Sequence, residues 1–192
     1  MNPVDLIDGV MVPLDRADID TDQIMPKQFL KRIERTGFGE YLFHDWRSEP
    51  DFVLNDKRYA DAKVLVAGPN FGSGSSREHA PWGLQQYGFE ALIAPSFADI
   101  FRTNCSKIGL LTVILPTAVC KRLVALAERE PGTHVRVDLP AQTVTAPGVE
   151  VRFDIDPFTK HMLVGGLDDI ALTLQHADEI AAFEGRRASW LP

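Results

Sequence analysis

Six consecutive residues, Gly74-Ser75-Ser76-Arg77-Glu78-His79, gather two hydroxyls, a guanidinium, a carboxylate and an imidazole. A serine hydroxyl becomes a nucleophile or a base once its anion is stabilised, and a guanidinium grips a carboxylate through two parallel hydrogen bonds. The elements that must position these groups flank them. Val64-Leu65-Val66-Ala67 is a short apolar run rich in β-branched residues and reads as a buried strand. Glycines 68, 72 and 74 break it, and a helical pattern then runs to Gly88. A strand, a glycine-rich turn and a helix start bring backbone N–H groups and the positive end of a helix dipole to one point. Such a point holds an anion, or makes one.

A purely structural reading competes. Ser75-x-x-Glu78 fits the capping box, in which both side chains only satisfy orphan N–H groups of a helix. Pro81 argues against its plain form, because a helix begun at Ser75 would carry the proline past its first turn. The firm helix is therefore expected near Pro81, with residues 75–77 in the loop. The loop lacks the Gly-Lys-Ser/Thr ending of a P-loop and the G-x-G-x-x-G spacing of a dinucleotide fold. Pattern alone leaves a functional and a structural loop both open.

Composition narrows the partners. At 192 residues, 45% hydrophobic and 24% charged, the chain is expected to form one soluble domain over residues 1–192. A net charge of −7 disfavours nucleic acid and anionic membranes. The basic cluster Lys27, Lys31, Arg32 and Arg35 is the local exception, and reads as a solvated face. No apolar run approaches the ~18 residues of a membrane helix. Residues 1–10 carry Asp5 and Asp8 but no Lys or Arg, unlike a signal peptide, so a cytoplasmic location is expected. Cys105 and Cys120 fall in helix-like segments and read as buried free thiols. Their number and spacing match neither a zinc nor an iron–sulfur site.

Taken in order, Val10–Leu14 reads as a strand. Asp18-x-Asp20-x-Asp22 superficially resembles a calcium loop but has Gln23 where the turn glycine belongs, and reads as a turn. Lys27–Glu34 is a short helix or loop, and 36–47 is aromatic-rich packing surface (Phe38, Tyr41, Phe43, Trp46). A short extended piece is expected at Phe52–Leu54. From residue 64 strands and helices alternate. Strands fall at Val64–Ala67, Ala91–Ala94 and Leu111–Leu115. Helices are expected over Pro81–Tyr87, over a segment with Phe97, Ile100, Phe101 and Ile108 on one face, and after a capping Thr117. This alternation implies a largely parallel sheet flanked by helices. Alternating stretches at 134–144 and 149–155 predict an antiparallel β addition. A last helix from Asp168-Asp169 carries Ile170, Leu174, Ile180 and Phe183, before a polar tail.

The signature at 74–79 resembles that of the swivel domain in the aconitase family. Asp20-Thr21-Asp22-Gln23-Ile24-Met25-Pro26-Lys27-Gln28-Phe29-Leu30, Thr36-Gly37-Phe38-Gly39, Ser96-Phe97-Ala98-Asp99-Ile100-Phe101 and Asn104-Cys105 through Gly109-Leu110-Leu111 extend the likeness. Together they resemble, within that family, the small subunits of bacterial 3-isopropylmalate dehydratases. The resemblance implies a three-layer β/β/α swivel domain. It also implies a hydro-lyase of leucine biosynthesis that isomerises 2-isopropylmalate to 3-isopropylmalate by dehydration and rehydration. Other aconitase-family hydro-lyases (citraconate/maleate hydratase, homoaconitase) share the signature, and a non-catalytic anion-binding module is the reading outside enzymes.

By that resemblance Ser75 is the base, acting as its alkoxide. Clustered N–H donors and Arg77 would stabilise it, each well-aimed donor contributing ~3 kcal/mol to a developing charge. Ser76 and Arg77 would hold a substrate carboxylate, and Glu78 and His79 would support the loop. The segment after Asp22, with Met25, Phe29 and Leu30, would approach the isopropyl group, while Lys27 and Lys31 face solvent or the partner. The family's [4Fe–4S] cluster needs three cysteines, more than this chain has. The resemblance therefore places the cluster on a separate large subunit, in a heterodimer or higher assembly.

Overall fold

The structure, a computed structural model, describes residues 1–31 and 34–187; Arg32 of the basic cluster and the end of the polar tail, 188–192, lie outside the described residues. In chain order the elements are β1 (Leu6–Leu14), the one-turn helix α1 (Thr21–Ile24), a series of 3-10 turns from Lys27 to Tyr59, β2 (Val64–Ala67), α2 (His79–Tyr87), β3 (Ala91–Ala94), α3 (Asp99–Ile108) and β4 (Leu111–Ile114). Then come α4 (Thr117–Arg129), β5 (His134–Asp138), β6 (Thr143–Ala146), β7 (Val149–Arg152), α5 (Pro157–Gly165), α6 (Asp169–Leu174) and α7 (Ala177–Glu184).

The seven strands make one sheet in the order β4-β3-β2-β1-β5-β6-β7. β1 to β4 are mutually parallel, and β5 to β7 continue from β1 as an antiparallel wing. β2 and β3 are buried at every position, because helices or wing cover both faces; this is why they appear in the sequence as unbroken apolar runs. Side chains alternate between two cores. Val12, Leu65 and Leu92 join α2, α3 and the aromatic segment, with Phe38, Leu42 and Phe43 fully buried there. Met11, Val64, Val66 and Ile93 face the other way, toward α4 and the inner side of the wing. The strand order steps one way from β2 to β4, so the right-handed crossovers α2 and α3 share a face. α4 returns across the opposite face, against β1, β2, β3 and β7.

Several expectations need correction. β1 starts at Leu6, not Val10. Its first half pairs with β5 and exposes Leu6 and Asp8, so no apolar run marks it. Phe52–Leu54 is not extended but leads into a 3-10 turn at Val53–Asn55. Thr117 is the first residue of α4 rather than its cap, which is Pro116 without a side-chain bond. Ile100 is 55% exposed, and Cys105 takes the buried position on α3 with Phe101. The last helical segment is two helices, broken at Gln175-His176. α5 had no counterpart in the sequence reading, although Asp156 accepts from the Thr159 N–H, Pro157 follows as first residue, and Gly166 closes the helix.

Candidate active site

α1 has only four residues and exists because both ends of its capping box are closed. Asp20 Oδ1 accepts from the Gln23 N–H at 2.8 Å, and Gln23 Oε1 accepts from the Asp20 N–H at 2.9 Å. The acidic run there is thus a helix start rather than an ion loop. Asp-x-x-Gln was the sequence signal for it. This turn is stitched to the glycine loop after β2. The Gly72 and Ser73 N–H groups donate to the Ile19 carbonyl at 2.7 and 3.2 Å, and the Thr21 N–H donates to the Ser73 carbonyl at 2.9 Å. Thr21 Oγ1 donates to the Ser75 carbonyl, also at 2.9 Å.

The loop's glycines are set by space and conformation. Gly72 has φ +79°, and a Cβ on it would sit 2.2 Å from the Phe101 ring; Gly74 has φ +89°, a conformation that side chains disfavour. The chain then presents Ser75 and Ser76, both exposed, before α2 begins at His79. The helix starts two residues earlier than the sequence suggests. Pro81 is its third residue, where no intrahelical bond is missed, and the Trp82 N–H makes the bond to the Glu78 carbonyl at 3.1 Å. Glu78 occupies the cap position without a side-chain cap bond, so the Ser75-x-x-Glu78 box does not form. Ser75 and Ser76 are left free of capping duty. Among the described residues, the backbone N–H groups of Ser75, Ser76 and Arg77 find no acceptor within the chain. They lie just ahead of a helix N-terminus and are available to an anion.

Arg77 is only 14% exposed, and its Nη1 donates to Asp22 Oδ1. Lys27, 76% exposed, approaches the other oxygen of Asp22 at 3.8 Å. Asp22 is the site residue that sequence reasoning missed: one side chain in a run of three aspartates, with nothing in its spacing to single it out. His79 packs edge-on to Phe38 and beside Trp82, with ring centroids 5.2 and 4.9 Å away. Burial pushes its pKa below the usual histidine value; Glu78 opposes this and Arg77 adds to it. At neutral pH His79 is an uncharged packing residue.

The segment expected to meet the isopropyl group divides. Met25 is corrected: its side chain is fully buried, and its Cε lies 2.5 Å from where a Cβ on Gly83 would be, so it seats α2 and offers no surface to solvent. Phe29 and Leu30 are half-buried on the 3-10 turn Lys27–Lys31, Phe29 stacked on Tyr41 at 4.2 Å and edge-on to His44. Lys31 is exposed. A cleft of about 680 Å³ lies away from this region, between residues 1–7 and the C-terminal ends of α2 and α3, with Asp5 and Glu90 as its charged side chains. With two carboxylates and no cationic side chain in its lining, the cleft does not suit an anionic substrate.

The cysteines do not fit an iron–sulfur cluster. Cys105 lies in the core on one face of the sheet and Cys120 in the core on the other, both buried. Burial raises both thiol pKa values, that of Cys120 to about 11, so neither is a ready thiolate.

Comparison with known proteins bears on the whole chain. A family model for the aconitase C-terminal domain matches residues 1–118, one described as LeuD_N matches 121–157, and one for the C-terminal domain of 3-isopropylmalate dehydratase small subunits matches 169–192. The 3-isopropylmalate dehydratase small subunit of Rubrobacter xylanophilus is 54% identical over 192 residues, covering 100% of this chain and 98% of its own. That of Clavibacter michiganensis is 53% identical over 192 residues, covering 100% and 94%. Among solved structures, the 3-isopropylmalate dehydratase LeuD of Methanocaldococcus jannaschii superposes with a TM-score of 0.70 at 25% identity, over 92% of this chain and 99% of that one. End-to-end identity of this order, together with the mixed sheet and the Ser75–Arg77 loop it carries, identifies the chain as a member of the 3-isopropylmalate dehydratase small-subunit family.

Proposed function

We propose that this chain, acting as one swivel domain over residues 1–192, supplies the proton-handling half of a hydro-lyase that interconverts 2-isopropylmalate and 3-isopropylmalate. Ser75, as alkoxide, takes the proton from the carbon next to a carboxylate as hydroxide departs from the neighbouring carbon, leaving 2-isopropylmaleate. Return of proton and hydroxide with the opposite regiochemistry gives the isomer. The free N–H groups at 75–77 and the helix start behind them favour the serine anion electrostatically. Ser76 and Arg77 hold a carboxylate, and Asp22 keeps the guanidinium from swinging away. Phe29 and Leu30 offer apolar surface to the isopropyl group. The partner is a large subunit that carries the [4Fe–4S] cluster, for which this chain has no suitable ligands, and the assembly works in the cytoplasm.

The observation that carries this reading is the loop itself. Two exposed hydroxyls, three unsatisfied N–H groups and an aspartate-held arginine lie together on one open edge. Co-expression with the large subunit, followed by turnover assays on isopropylmalate, citraconate and homoaconitate, tests it. The complex should turn over isopropylmalate by preference, and the purified chain alone should show no hydro-lyase activity. A preference for citraconate, or turnover by the isolated chain after anaerobic reconstitution with iron and sulfide, would sink it.

A further inference from the structure

We propose that Thr21 is a positioning residue for Ser75, acting through the Ser75 backbone rather than touching substrate; this rests on the reading of Ser75 as the base. Thr21 is only 2% exposed, so its hydroxyl is buried. A hydroxyl taken out of water costs stability unless it is bonded. The bond Thr21 makes is to the carbonyl of Ser75, at 2.9 Å and 54 residues away in sequence.

That one bond has geometric reach. A trans peptide is planar and sets its C=O and N–H in opposite directions. Pinning the Ser75 carbonyl to Thr21 fixes the plane of the 75–76 peptide, fixes ψ at Ser75, and turns the Ser76 N–H away from α1. The second contact reinforces it, since the Thr21 N–H holds the Ser73 carbonyl at 2.9 Å. Gly74, at φ +89°, lies between the two anchored carbonyls. A Cβ there would lie 3.4 Å from the Asp20 Cβ and 3.7 Å from Thr21 Oγ1, so the loop runs close along the turn. Thr21 also immediately precedes Asp22, which holds Arg77. The first turn of α1 thus sets both the backbone of the base and the side chain of the carboxylate binder. Valine nearly matches threonine in shape, and Ser75, whose carbonyl it would release, is an exposed loop residue. The fold therefore survives while the geometry of the base loosens.

The test uses the assembled two-subunit enzyme with four small-subunit variants: Thr21→Val, Thr21→Ser, Ser75→Ala and the double variant Thr21→Val/Ser75→Ala. Thr21→Val should lower kcat by roughly ten- to hundredfold, the scale of displacing a catalytic group by up to about 1 Å, with KM and subunit affinity nearly unchanged. Thr21→Ser, which keeps the hydroxyl, should stay within about threefold of the parent. In the Ser75→Ala background Thr21→Val should have no further effect, since its action passes through Ser75. Thr21→Val turnover equal to the parent overturns the proposal while a collapse in Ser75→Ala leaves the base intact. So does a loss that Thr21→Ser fails to rescue, or one that tracks lost assembly or melting temperature, because a structural role would then suffice. Full turnover by Ser75→Ala overturns the reading of the base, and the proposal with it.

Discussion

Asp22 and Arg77 lie 55 residues apart in the chain, yet the carboxylate accepts a hydrogen bond from the guanidinium at the mouth of the glycine loop. The pair is part-exposed, with Arg77 at 14% and Asp22 at 36%, so its Coulomb energy is screened and its worth lies in orientation more than in stability. A guanidinium that must meet a carboxylate with two aligned N–H groups gains from being held by a third party. At a site that takes a dicarboxylate, as proposed, an aspartate would also repel the ligand.

Two substitutions separate those effects. Asp22→Asn keeps an oxygen acceptor for Arg77 and removes the negative charge, so KM for isopropylmalate should stay within about threefold of the parent or fall. Asp22→Ala releases the guanidinium, and KM should rise about tenfold, near 1.4 kcal/mol. Steady-state kinetics of the assembled enzyme checks both. Equal effects of the two variants would show that charge, not orientation, is what Asp22 contributes.

Ser75→Ala should cost kcat about 10²–10⁴-fold, the range for loss of a general acid–base group, with KM little changed. Ser76→Ala should act mainly on KM. The same measurement on both variants decides between the serines. Abolished turnover in Ser76→Ala beside a mild Ser75→Ala reverses the assignment.

His79 gives the fold a pH dependence. Its pKa is pushed below the unfolded value near 6.5, first by burial between Phe38 and Trp82. The unfolded chain therefore binds a proton more readily than the folded one, and stability rises with pH through that window. The histidine contribution is fully present above about pH 6.5 and is lost as pH falls through the lower, folded pKa. Urea midpoints between about pH 5 and pH 7.5 should drop on the acid side, and His79→Gln should flatten that slope. An unchanged slope in the variant would rule His79 out as its source.

Selectivity should map to Leu30 rather than Met25. Leu30→Arg puts a charge on the half-buried surface offered to the isopropyl group. It should cut kcat/KM for isopropylmalate by more than the ~10–200-fold that one methylene governs in an apolar pocket. Phe29→Arg should do the same but also lose stability, because the stack on Tyr41 contributes about 0.5–1.5 kcal/mol. Met25→Ala should instead destabilise by about 2–5 kcal/mol as a core truncation, without changing substrate preference. Unaltered isopropylmalate kinetics in a correctly assembled Leu30→Arg complex would remove this surface from the site.

Much of the fold was legible in local patterns. β2 and β3 appear as apolar runs because both faces of those strands are covered, and Gly88 and Gly109 end α2 and α3 by supplying backbone conformations that side chains resist. The 74–79 signature is contiguous, so its residues could be singled out from the chain, while the roles given to them came from the family resemblance. The first half of β1 could not be read, since Leu6 and Asp8 are both exposed and only β5 makes that segment a strand. Met25 and Phe29 look alike in an apolar stretch, and Gly83 and Tyr41, distant in sequence, bury the one and stack on the other. Which side chains could carry a proton or grip a carboxylate follows from residue type and from the short loop joining them, and needed no coordinates. How they are aimed was a matter of folding: Thr21 on the Ser75 carbonyl and Asp22 on Arg77 are bonds across more than fifty residues, and they exist only once β1 and β2 lie side by side.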